Sequence, residues 1–177
     1  MQEPSAPSTP AALDEETIEF ANAVFECCRQ GNASVLGRLL DKGLPANLRN
    51  HKGDSLLMLA SYHGHLDASR ALLEHGADAD LRNDAGQTPL AGAAFKGYLP
   101  IMALLLDHGA DVEGASPDGK SALMLAAMFN RTEAVDLLLA RGARLDASDD
   151  KGITALLAAE RMGADDTVRQ LRALGAR

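Results

Sequence analysis

The chain has 177 residues, 46% hydrophobic, 24% charged and 3% aromatic, and its 17 Lys and Arg against 25 Asp and Glu leave a formal net charge of -8. The acidic balance argues against sequence-independent nucleic-acid binding, and no apolar run is long enough to span a membrane. With no Trp, two Tyr and four Phe, the length suits one Leu- and Ala-rich helical domain or one short repeat array.

Residues 1–13, with Pro4, Pro7 and Pro10, read as a disordered tail that lacks the basic start and apolar middle of a secretory signal. Asp14 or Thr17 then caps a helix predicted over Glu15–Gln30, with acidic residues in its first turn. Beyond it several series share one 33-residue period: Gly43, Gly76, Gly109, Gly142, Gly175; Gly53, Gly86, Gly119, Gly152; and Gly31, Gly64, Gly97, Asn130, Gly163. Leu39, Leu72, Leu105, Leu138 and Leu171 keep step, as do Cys27, Ala60, Ala93, Ala126 and Ala159.

The third period shows the physical unit. After the turn Asn83–Gly86, Thr88 is placed to cap a short helix with Pro89 at its first position, and Gly97 ends it in a left-handed conformation. Pro100 opens a second helix, predicted over Ile101–His108, which Gly109 closes. Asn130 fills the left-handed position with the next best residue after glycine. Asp165, Asp166, Arg169, Gln170 and Arg172 make the final helix more polar, as the open end of a stack requires. The units run over about 14–49, 50–82, 83–115, 116–148 and 149–177.

The run Gly86-Gln-Thr-Pro-Leu-Ala-Gly-Ala-Ala-Phe-Lys-Gly97, followed by Leu104-Leu-Leu-Asp-His-Gly-Ala-Asp111, resembles an ankyrin repeat, as does Gly53 to Ala60 with Leu72 to Asp78. The resemblance covers about residues 17 to 177, as four repeats preceded by a degenerate one. It implies an all-α solenoid of helix-turn-helix units with short β-turn fingers. The function it implies is that of a non-enzymatic protein–protein interaction module (adaptor, inhibitor or scaffold) binding another protein on its concave face. The chain is expected to be monomeric alone and, with two adjacent cysteines and neither a secretory signal nor a membrane span in its sequence, cytoplasmic. The family's Thr-Pro-Leu-His segment keeps Thr-Pro-Leu only at Thr88 to Leu90, and its histidine position holds Met58, Ala91, Met124 and Leu157. A weaker likeness is to stand-alone bacterial ankyrin proteins, some of which accompany catalases in oxidative-stress defence.

The family register assigns the partner-facing positions. Two exposed first-helix positions before each turn hold Tyr62 and His63, Phe95 and Lys96, Met128 and Phe129, and Arg161 and Met162. Half the aromatic residues fall in this stripe, and aromatics, Met and Arg are enriched in interface cores. The turn tips extend it through Lys52 and Asp54, Asp84 and Gln87, and Asp118 and Lys120, with Arg49 and Arg82 placed to pair with acidic groups on a partner.

Catalytic chemistry finds no constellation. His65 follows Gly64, as histidine commonly follows glycine in ankyrin repeats. His63 and His65 lack a nearby third metal ligand. His75 and His108, aligned with Lys42 and Arg141, sit in last helical turns where a donor meets free carbonyls. Cys27 aligns with small buried alanines and reads as core, whereas Cys28 is less constrained. A metal-dependent regulator or enzyme using His63, His65 or Cys28 is the alternative of another class. No cofactor is expected.

Overall fold

The computed structural model describes residues 14–177, so the expected tail at residues 1–13 lies outside it. Ten α-helices follow in five antiparallel pairs: α1 (Glu15–Gln30) with α2 (Ala33–Asp41), α3 (Leu56–Tyr62) with α4 (Leu66–Glu74), and α5 (Pro89–Lys96) with α6 (Leu99–Asp107). The last two pairs are α7 (Ala122–Met128) with α8 (Thr132–Ala140) and α9 (Ala155–Met162) with α10 (Asp165–Ala173).

Local chemistry sets these helices. Asp14, rather than Thr17, caps α1, accepting the Thr17 N–H at 2.7 Å. Ser55, Thr88, Ser121 and Thr154 cap the first helix of each later pair through the N–H of Met58, Ala91, Met124 and Leu157. Gly31, Gly97 and Gly163 close their helices in the left-handed region. Asn130 adopts φ 57°, the only positive φ at a non-glycine among the described residues. The boundaries of α6 differ slightly from expectation: it begins at Leu99, and His108 is its cap, with Nδ1 bonded to the Leu104 carbonyl at 2.9 Å.

Each first helix packs on the next first helix, and each second helix on the next second helix, giving two parallel layers. Between the pairs, residues 49–55, 115–121 and 148–154 form turns, each closed by a single antiparallel bridge. These are the short fingers. One continuous core runs between the layers through Leu36, Leu72, Leu105, Leu138 and Leu171, all fully buried.

The adjacent cysteines behave opposite to expectation. Cys28 is fully buried and Cys27 only half-buried. Position 27 faces the preceding repeat, which the first pair lacks, while position 28 faces the following one. The other end shows the mirror image: Ala159 is fully buried and Glu160 exposed. At the family's histidine position Met58, Ala91 and Met124 are buried, but Leu157 remains 38% exposed in the last pair.

Candidate functional site

A hollow of about 550 Å³ lies between the fingers and the first helices. Its floor is Met58, Ala91, Gly92 and Leu125, its helical wall Tyr62 and Phe95, and its finger wall Gln87, Pro117, Asp118 and Lys120. A second hollow of about 220 Å³ continues it over Met124, Met128, Ile153, Arg161 and Met162, with Lys120 shared between the two.

The aromatic stripe is physically continuous. Tyr62 and Phe95 lie parallel with ring centroids 6.4 Å apart, and Phe129 meets Phe95 edge-on at 4.4 Å. The Lys96 ammonium sits 4.6 Å from the Tyr62 ring centroid, within cation–π range, and His63 meets the same ring edge-on at 5.7 Å. Tyr62 and Phe129 remain 39% and 36% exposed, Phe95 is half-buried between them, and Met162 is 51% exposed. Rings so arranged support one another while leaving apolar surface open.

The remaining turn residues act within the finger array. The Arg49 guanidinium bonds the Gly53 carbonyl at 3.0 Å, the Arg82 carbonyl at 2.9 Å and the Asp84 carboxylate at 3.2 Å. Arg82 repeats the device, reaching the carbonyls of Gly86 and Ala115. These two arginines, expected to meet a partner's acids, here bridge adjacent fingers. Asp54 accepts from Asn50 and Asn83, which also bonds Gln87. Lys52 receives the Asp84 N–H on its carbonyl. Arg49, Lys52, Asp54, Arg82 and Asp84 line neither hollow.

The groups considered for metal or nucleophilic chemistry have other occupations. His65 Nε2 bonds the Arg29 carbonyl of the preceding pair at 2.7 Å. Burial pushes the Cys28 thiol up to about 12, far from a thiolate at neutral pH. No group of three potential metal ligands occurs among the described residues, and none of their helices is long and apolar enough to cross a membrane.

The family model for ankyrin repeats (3 copies) matches residues 24–115 and 112–177. The chain belongs to the ankyrin repeat family. A segment of 58 residues is 66% identical to an ankyrin repeat protein of Pseudomonas aeruginosa, covering 33% of this chain and 34% of that protein. Another of 52 residues is 42% identical to the human ankyrin repeat domain-containing protein 29, covering 29% of this chain and 17% of that protein. The chain thus aligns with about a third and about a sixth of these relatives' lengths. Ankyrin repeats are general protein–protein interaction modules.

Two features of this ankyrin array escape a motif search. Ala91 and Gly92 form the floor of the larger hollow where the neighbouring repeats carry Met58-Leu59 and Met124-Leu125. The missing side-chain volume is legible only as a deficit in the repeat alignment. The second is a ladder of side-chain acceptors. Asn47, Asp80, Glu113 and Asp146 take the backbone N–H of Asp78, Asp111, Arg144 and Arg177, each in the next repeat, at 2.8–3.0 Å. Their own 33-residue spacing was available in the sequence.

Proposed function

We propose that this ankyrin array is a non-enzymatic recognition module, an adaptor, inhibitor or scaffold. It is monomeric alone and cytoplasmic, and holds another protein in the groove between its fingers and first helices. The continuous, partly exposed ladder Tyr62–Phe95–Phe129 beside the 550 Å³ hollow carries this reading. Supported aromatics are efficient anchors because they bring large apolar area at small entropic cost.

A pull-down from the native host tests it. The unmodified chain retains a specific protein that Phe95→Ala combined with Phe129→Ala releases, with affinity falling about 100-fold or more if both rings are anchors. Melting curves check the fold, because half-buried Phe95 also supports its neighbours. Unchanged affinity in a folded double variant overturns the assignment. A narrower version, favoured by the kinship with a bacterial ankyrin protein, makes a catalase the partner. Deletion of the gene then lowers survival in peroxide, and unchanged survival removes it.

A further inference from the structure

We infer that the groove is built for an acidic segment carrying spaced apolar side chains, presented by another protein. This deepens the docking reading above and rests on it. The chain is formally -8, yet Lys120, Lys151 and Arg161 line the two hollows against Asp118 and Asp149, and Lys96, which lines neither, lies over the Tyr62 ring of the first.

Both carboxylates are already engaged. Asp118 pairs with Lys120 at 2.6 Å and accepts the Ser116 hydroxyl. Asp149 accepts the N–H groups of Lys151 and Ile153, each at 2.9 Å. Lys96, Lys151 and Arg161 make no ion pair among the described residues. Asp150, on the same finger as Lys151, lines neither hollow. The unpaired charge facing the groove is therefore positive within an otherwise acidic molecule.

Shape supplies the other half of the recognition. The larger hollow, between the Tyr62 and Phe95 side of the helices and the Pro117 finger, takes an aromatic or leucine side chain, and Met128 and Met162 offer a second, adaptable seat. A carboxylate beside the first seat meets Lys96, and one near the second meets Lys151 or Arg161. A nucleic acid shares the negative charge, but the net -8 of the protein repels an extended polyanion that three separate cations cannot offset.

Random peptides displayed on phage and selected against the whole chain supply the probe. The expected winners carry Asp or Glu beside aromatic or leucine residues and weaken as salt rises. Lys151→Glu combined with Arg161→Glu, both at exposed positions, lowers their affinity by roughly tenfold or more. It also turns selection towards basic peptides, with melting unchanged. Winners that are lost in Phe95→Ala but are neutral or basic, or that ignore the charge reversal, overturn the acidic occupant and leave the docking face standing. Finding no Phe95-dependent peptide overturns both. The start of α1 is itself acidic, with Ile18 and Phe20 about half exposed. Self-association of the chain that Phe95→Ala abolishes therefore assigns the groove to a second copy and overturns the inference.

Discussion

Asn130 shows how one position depends on another across the stack. At the equivalent glycines a side chain would collide with the next repeat: a Cβ on Gly31 would lie 2.3 Å from the His65 ring, and one on Gly97 2.9 Å from Arg131. The partner of Asn130 in that series is Ala164, which leaves room. Asn130 uses the room to accept the N–H groups of Asp166 and Thr167 at 3.0 Å and to donate to the Asp166 carboxylate at 2.8 Å. Ala164→His should therefore destabilise the native chain, yet cost less when Asn130→Gly restores the arrangement of the first pair. A double-mutant cycle by urea denaturation should give a coupling of about 1 kcal/mol. The left-handed backbone at Asn130 was legible from the glycine series; its bonds to the next repeat were not, because they need the stacking distance.

Asp118 offers a second residue-scale measurement. Hydrogen bonds from Lys120 and Ser116 hold its carboxyl down to about 2, against an ordinary value of 3.8. A carboxyl depressed on folding contributes stability that is present above the unfolded value and is lost as pH falls through the folded one. Its contribution should fade between about 3.8 and about 2, and NMR titration should find Asp118 rising towards the ordinary value in Lys120→Ala. His75 moves the other way, raised first by its bond to Asp41 and then by the Ala71 carbonyl. Its stabilising pairing is present below the unfolded value and lost as pH rises through the folded one.

Among the elements, the two helices of a repeat are secured differently. After the first pair, where Asp14 and Asn32 cap both helices, first helices begin at a hydroxyl cap with a side-chain bond, whereas α4, α6, α8 and α10 begin at His65, Tyr98, Arg131 and Ala164 without one. That is why the first helices were legible, Thr88-Pro89 most plainly, while the predicted start of α6 fell two residues late. Ser121→Ala removes the acceptor for the Met124 N–H in a buried setting. It should lower stability by about 1 kcal/mol in a thermal melt. The stripe was legible as composition, since aromatics recur at equivalent positions. Its geometry was not: Phe129 belongs to the neighbouring register of Phe95, and only the folded stack shows the two rings meeting at 4.4 Å.

For the whole molecule, the period determined the fold and the ends determined the exceptions. Cys27 and Glu160 occupy positions that are buried everywhere a neighbour exists, so register alone could not place them. Charge is also unevenly placed. Glu3, Asp14, Glu15, Glu16, Glu19 and Glu26 precede the first basic residue, Arg29. The bulk value of -8 therefore conceals a groove bordered by unpaired cations.

The acceptor ladder from Asn47 to Asp146 gives the stack a mechanical character. Because each repeat touches only its neighbours, tension between the termini passes through these ties in series, and no joint can share load with a distant one. The array should act as a line of fuses. When one gives way it releases 33 residues, an extension of roughly 110 Å at full stretch, before full tension returns to the remaining joints.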